Sequence, residues 1–403
     1  MDADSAGLSP PLRALLHLSF ATGLGPVLIT RLIDRFGGDA TAAVHASVDQ
    51  LRSIHGIGEL KGHRIAASLA EAGKKATEQA LLAREHNITI LAKGQPGYPD
   101  HLAVLPDSPT ILYVRGTLHS LEEDRFPVAI VGSRQCTAYG LEQAQFFGSS
   151  LARAGLTIVS GGARGIDSAA HRGALAAGGR TIAVLGCGLL HVYPPENADL
   201  FNQIATQGAV VSELPLDCAP QAENFPARNR IISGMSLGTL VIEAGEQSGA
   251  LITARVATEE HGREVFALPG RVDSPASRGT LSLLKRGGAH LVTEPADIIN
   301  GLEQTAHHVH RGSFAARFPA QPASLFAEAQ EQPTTEQEKT FLGLSDIQKA
   351  ILLPLEPSGL TFDQLHEATG IEVVALRREL SLLELNRRIG RQGSTFVTLK
   401  RRL

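Results

Sequence analysis

The chain has 403 residues, with 37 Lys and Arg against 41 Asp and Glu, so its formal charge is −4. A hydrophobic content of 43% excludes a disordered chain, and three cysteines exclude a disulfide-built secreted scaffold. At about 100–200 residues per domain, two to four domains are expected.

Residues 8–86 read as helices, with apolar residues at three and four spacing in Leu12, Leu15 and Leu16 and again in Leu28, Leu32 and Ile33. Two glycine turns punctuate them, Gly23-Leu24-Gly25 and Gly56-Ile57-Gly58, 33 residues apart. Each follows a helical stretch and opens another, which is the helix-hairpin-helix pattern. In such a hairpin the glycines let backbone N–H groups approach a DNA phosphate at a helix start. Lys61 lies near the second turn. The competing reading is a helical domain whose glycines only join helices. Residues 1–90 are therefore expected to form an N-terminal helical, helix-hairpin-helix or SAM-like domain.

From about residue 110 the texture changes. Short apolar runs at 128–131, 156–159, 181–185, 209–211, 239–242, 265–268 and 289–292 alternate with helical patterns at 139–154, 166–178, 250–262 and 279–287. Continuous apolar strands alternating with helices indicate a parallel sheet covered on both faces. Residues 98–300 are expected to form an α/β, Rossmann-like, doubly wound core. Residues 301–343, with Pro319, Pro322 and Pro333 and no sustained period, read as a flexible linker. The cluster His307, His308 and His310 falls there and reads as a solvated stretch, not a metal site. Residues 344–403 show three helical patterns and a β-hairpin, a winged helix-turn-helix. Its Arg377, Arg378, Arg388 and Arg391 would contact a duplex, or be solvated on a docking module.

Charge does not single out a general nucleic-acid coat. Residues 1–125, 126–300 and 301–343 each carry net −2, and residues 344–403 carry +2. Any polyanion site must be a focused pocket. Of the 13 basic residues in 126–300, 12 are Arg, the side chain that forks onto phosphate oxygens. A GC-rich genome would produce the same bias.

In an open α/β sheet, ligands bind at the carboxyl ends of the strands. Those ends carry Gly132-Ser133-Arg134, Ser160-Gly161-Gly162-Ala163-Arg164-Gly165-Ile166-Asp167, Gly186-Cys187-Gly188, Arg228-Asn229-Arg230 and Glu243-Ala244 with Ser248-Gly249. Glycine turns at helix starts offer free N–H groups and the positive end of the helix dipole. Arg134, Arg164, Arg228 and Arg230 add charge-assisted forks, unless Asp167, Glu213 or Glu243 claims them. Tyr139, Tyr193 and Phe225 are candidate platforms for base stacking. Asp167 and His171, four apart on one helix, are an acid/base pair or a cap and a packing residue. The glycine spacing does not match a dinucleotide fold, no Walker A or nucleophile elbow occurs, and Cys136, Cys187 and Cys218 lack metal spacing.

The same strand-end motifs, together with Tyr139-Gly140, Ala170-His171, Tyr193-Pro194, Phe225-Pro226, Ile231-Ile232 and Leu268-Pro269-Gly270, resemble the DNA-processing protein A (DprA, also called Smf) family through residues 98–300. The resemblance implies a non-catalytic single-stranded-DNA-binding protein that is a homodimer through its Rossmann-like core. Such a protein protects incoming DNA in natural transformation and loads the RecA recombinase. By the same resemblance, Arg134 and Asn229 line the DNA pocket. The family often has Lys or Arg after Tyr-Pro; here Pro195 stands in that place, and Arg164 or Arg228 is the expected compensation. The expected DNA-binding set is Ser133, Arg134, Tyr139, Gly161, Gly162, Arg164, Arg228, Asn229, Arg230, Ser248 and Gly249, with further contacts from Gly56, Gly58, Lys61, Arg377, Arg378, Arg388 and Arg391. No catalytic residue, metal or cofactor is expected. The alternative is a nucleotide-binding enzyme of the phosphoribohydrolase type, but Pro269-Gly270 continues as Arg271-Val272-Asp273 and breaks that signature. The first ten residues are acidic and small, unlike a signal peptide, and no run of about 18 apolar residues occurs, so the expectation is a cytoplasmic protein with no membrane partner.

Overall fold

The computed structural model describes residues 7–118, 124, 126–309, 346–354, 359–371, 376, 380, 383, 389–392 and 395–398. They fall in two compact units, residues 1–325 and 326–403.

The first unit begins with five helices, α1 (Pro10–Ser19), α2 (Pro26–Arg35), α3 (Ala40–Ala43), α4 (Val48–Arg52) and α5 (Glu59–Glu85). Both glycine turns open helices as expected: Gly25 precedes α2 and Gly58 precedes α5. The two hairpins back onto each other. The Cα of Gly23 faces Ile65 and Lys61 of α5, and that of Gly56 faces Leu28 and Arg31 of α2.

Then come β1 (Thr89–Ala92), α6 (Asp100–Ala103), β2 (Ile111–Gly116), β3 (Pro127–Val131), α7 (Ala138–Arg153), β4 (Thr157–Ser160), α8 (Ile166–Ala176), β5 (Thr181–Val184), α9 (Ala198–Gln207) and β6 (Ala209–Ser212). They are followed by α10 (Asn224–Gly234), β7 (Gly238–Val241), α11 (Gly249–Glu259), β8 (Glu264–Ala267), α12 (Arg278–Lys285), β9 (His290–Leu291) and α13 (Pro295–Val309). The sheet order is β1-β2-β6-β5-β4-β3-β7-β8-β9. Strands β3 to β9 pair in parallel, while β2 runs antiparallel to β6 and β1 antiparallel to β2.

Side-chain alternation explains why the strands look continuously apolar. Val128 and Ile130 of β3 face α7, α8 and α13, while Ala129 and Val131 face α10 and α11. Both faces of β3 are covered, so both sets are apolar. At the β6 end, one face is covered by α9 and by the N-terminal helices. Leu185, Phe201, Ile204, Val210 and Leu216 share one core with Leu16, Leu32, Leu51, Ile65 and Leu69.

Several details differ from the sequence expectation. β1 and β2 extend the sheet beyond the expected strands, although residues 111–114 of β2 make as long an apolar run as 128–131. Residues 301–309 continue α13, so His307 and His308 stand on a helix and not in a linker; His310 lies outside the described residues. Residues 224–234 form a helix, which places Arg228, Asn229 and Arg230 on successive faces of one turn.

In the second unit, helix Asp346–Leu352, strand Leu360–Thr361, helix Phe362–Thr369 and strands Ile389–Gln392 and Thr395–Thr398 are described. Thr361 and Gln364 form a capping box, and Gly370 closes that helix in the left-handed region. Leu376, Leu380 and Leu383 join Ile351, Leu365, Ile389 and Phe396 in a small core. Arg377, Arg378 and Arg388 lie outside the described residues, and Arg391 falls on the hairpin.

Candidate nucleic-acid interface

Strand order reverses between β3 and β7. From β3 the chain steps outward through β4, β5 and β6; it then returns to β7 on the other side and steps outward through β8 and β9. The loops leaving β3 and β7 therefore part, and a crevice opens at their carboxyl ends. There the structure holds a cavity of about 760 Å³. Its walls include Ser133 and Arg134 after β3, Tyr193, Pro220 and Ala222 from the loops after β5 and β6, Phe225, Arg228 and Asn229 of α10, and Gln247, Ser248, Gly249, Ile252 and Thr253 at the start of α11.

The Gly-Ser-Arg turn is held from three sides. Ser133 N–H donates to Glu243 O at 2.7 Å, Ile166 N–H donates to Ser133 O at 3.3 Å, and Gln135 N–H donates to Ser133 Oγ at 3.1 Å. Arg134 projects from this fixed turn and is exposed. Its guanidinium carbon sits 5.1 Å from the Phe225 ring centroid, a cation–π contact. Of the three acidic residues suspected of pairing with it, Asp167 is buried and feels its charge without forming an ion pair, and the other two are engaged elsewhere. Glu243 accepts from Thr137 N–H at 2.8 Å and Thr137 Oγ1–H at 2.7 Å, and Glu213 accepts from Arg230. Among the described residues Arg134 has no ion-pair partner.

Phe225 also packs against Tyr193, with ring centroids 5.3 Å apart and planes inclined by 50°. The two rings and Arg134 make one wall that is both aromatic and charged. Opposite, Ser248 caps α11, accepting from Ala250 N–H at 3.3 Å, and Asn229 Nδ2–H donates to Gly249 O at 3.3 Å. The start of α11 therefore turns its positive dipole end toward the cavity.

Beneath this surface lies a buried electrostatic floor. Arg228 is 4% exposed and donates to Val184 O. Burial pulls its guanidinium down to about 10, while Asp167 beside it favours the charge. Burial pushes the Asp167 carboxyl up, and Arg228 opposes that shift. Gly161 spans both: a Cβ there would collide with Arg228 Nη1 and stand 2.7 Å from Asp167 Oδ2. No larger residue fits. His171, four residues on, turns away to Thr181 Oγ1 at 2.7 Å, so Asp167 and His171 serve separate partners. Burial pulls the His171 imidazole down to about 3.

The expected residues are thus sorted. Ser133, Arg134, Arg228, Asn229, Ser248 and Gly249 line the cavity. Gly161 and Arg164 line a smaller adjoining cleft with Arg134 and Arg228. Arg164 itself forks onto Glu196, with Nη2 to Oε2 at 3.0 Å. Three residues fall outside both clefts. Gly162 packs toward Phe201, Tyr139 is exposed on α7, and Arg230 is held by Glu213 with Asp107 at 3.9 Å. Arg230 faces this internal pair because α10 carries it about 100° from Asn229. Gly56, Gly58 and Lys61 belong to the N-terminal hairpins, where Lys61 Nζ–H donates to Gly56 O at 3.5 Å. Gln247, Ile252 and Thr253 were not expected in the wall. Their only signal is their place in the first turns after Glu243.

Comparison with known proteins agrees with this architecture. The family model described as DNA recombination-mediator protein A matches residues 89–303, more than half of the chain. This chain belongs to that family. A second model, the DprA winged helix domain, matches residues 328–393. Protein Smf of Escherichia coli is 47% identical over 236 residues, 58% of this chain and 62% of that protein. DNA processing protein DprA of Bacillus subtilis is 39% identical over 221 residues, 55% of this chain and 73% of that protein. The X-ray structure of DNA processing protein A from Streptococcus pneumoniae superposes with a TM-score of 0.60 at 33% identity, covering 73% of this chain and 98% of that one. Among the described residues, no helix is long and apolar enough to cross a membrane.

Proposed function

We propose that this family member binds single-stranded DNA in the cavity between β3 and β7, without cleaving it. In this reading it protects incoming DNA during natural transformation and hands it to the RecA recombinase, acting in the cytoplasm as a homodimer through the Rossmann-like core. The observation that carries the DNA assignment is Arg134, an exposed guanidinium that forms no ion pair among the described residues, seated on Phe225 at the cavity. An unpaired fork beside an aromatic face suits a phosphate with an unstacked base next to it. The α11 start and Asn229 supply the second side. A duplex keeps its bases turned inward and offers nothing to Phe225 and Tyr193. On the floor of the site Arg228 donates to Val184 O and Asp167 accepts from Ala163 N–H at 3.3 Å, so both are engaged by backbone, which favours binding over hydrolysis.

The test is fluorescence anisotropy with a labelled single strand and with the duplex of the same sequence. Single strands should bind more tightly, with an affinity that falls as salt rises. Equal or better duplex binding would move the site to the hairpins or the wing. Release of free base from nucleoside monophosphates would instead sink the binding-only reading.

A further inference from the structure

We propose that Gln79, on the N-terminal helix α5, is a positioning residue for the DNA cavity, so that the helical domain tunes single-strand affinity without touching DNA. The inference rests on the cavity being the DNA site.

Gln79 is 4% exposed, on a face of α5 otherwise made of Ala72, Ala76, Ala80 and Ala83. A polar side chain there is costly unless both ends of its amide are satisfied. Both are, and by one short segment. Leu216 N–H donates to Gln79 Oε1 at 2.7 Å, and Gln79 Nε2–H donates to Asp217 Oδ1 at 2.8 Å. An apolar residue would serve helix docking as well; only an amide can set where the backbone of residues 216–217 stops.

That segment joins both loops that wall the cavity. Downstream, Pro220, Ala222 and Phe225 line it. Sideways, Leu190 N–H donates to Leu216 O at 3.0 Å, Gly188 N–H donates to Cys218 O at 2.8 Å, and His191 Nε2 lies 3.0 Å from Asp217 O. These bonds fix the strand-end loop that delivers Tyr193, the ring packed on Phe225. The amide of Gln79 is thus two short steps from both aromatic platforms and, through Phe225, from Arg134.

The experiment uses the full chain and a labelled oligothymidylate, below the melting temperature of each variant. Gln79→Met keeps volume and removes both bonds; affinity should fall about five- to tenfold. Gln79→Glu sets a carboxylate against Asp217 and should weaken binding at least as much. Combining Gln79→Glu with Asp217→Asn reverses the donor and acceptor and should bring affinity back to within about twofold of the parent. A merely structural role would lower the melting temperature and leave the affinity of folded protein unchanged. Folded Gln79→Met and Gln79→Glu variants that bind as the parent does, while Arg134→Ala weakens binding, would overturn the proposal. So would a double variant as weak as Gln79→Glu, which decides the matter if Gln79→Met does not fold. If Arg134→Ala also binds like the parent, the cavity assignment itself has failed.

Discussion

Replacing Arg134 by Ala should weaken single-strand binding with almost no effect on folding. Within the protein its guanidinium makes a cation–π approach to Phe225 at 5.1 Å, and its charge favours ionised Asp167 while opposing Arg228. At an exposed site that is worth about 0.5–1 kcal/mol, so the melting temperature should shift by a few degrees at most. Glu213 and Glu243 keep their own partners, Arg230 and Thr137, and no buried charge is orphaned. Toward DNA the loss is larger. A charge-assisted bond to phosphate contributes roughly 1.5–3 kcal/mol, or about 10- to 100-fold in affinity. One lost phosphate contact should also reduce the slope of log K against log salt by about 0.7 for a single strand. Arg134→Lys should recover part of the affinity and most of the slope, since Lys keeps the charge and loses the fork. Anisotropy titrations at several salt concentrations, with thermal melts on the same preparations, measure all of this. A stable Arg134→Ala protein with native affinity and slope would refute the reasoning; so would a large fall in melting temperature with affinity retained.

Phe225→Ala removes the platform shared by Arg134 and Tyr193, and should cost roughly 1–3 kcal/mol in single-strand binding while leaving the salt slope close to native; a full-sized change in slope with little change in affinity would contradict the stacking role. Arg230→Ala leaves Glu213, which burial already pushes toward its neutral form, without the cation that opposes that shift. It should lower stability by roughly 3 kcal/mol and leave the affinity of the folded protein alone, as denaturant melts and anisotropy would register. His171 is fully buried and held neutral, its imidazole pulled from 6.5 down to about 3 by burial and by nearby Arg228 and Arg172. Its folded pKa lies below the unfolded one, so its stabilising share is complete above pH 6.5 and is lost as pH falls toward 3, because only the unfolded chain takes the proton. Stability should drop by about 1.4 kcal/mol per pH unit across that window from this residue alone. A His171→Gln variant that still folds should show a shallower slope, and an unchanged slope would assign the acid sensitivity elsewhere.

The apolar runs from 128 to 292 were enough to specify a covered parallel sheet, because strands buried on both faces are mostly apolar, and the few buried hydroxyls, such as those of Ser160 and Thr181, bond to backbone carbonyls. β1 and β2 were hidden because they lie at the antiparallel edge, before the strand–helix alternation begins, so no βα repeat marks them even though residues 111–114 of β2 are apolar and buried. Glycine turns at strand ends were legible too, since close backbone approach leaves few alternatives, as Gly161 shows over Arg228 and Asp167. What composition could not divide was the arginines. Arg134, Arg164, Arg228 and Arg230 are chemically alike in the sequence, yet one stands free on a ring, one forks onto an exposed carboxylate, one is buried as floor, and one ties α10 to Glu213. Their fates depend on which acid the folded backbone brings within about 4 Å, a distance that residue spacing does not encode across a crossover connection. Gln79 makes the same point. Its sequence signal is one polar residue on an alanine face, but its partners are 137 and 138 residues away, and only the packing of α5 against the sheet brings them to it.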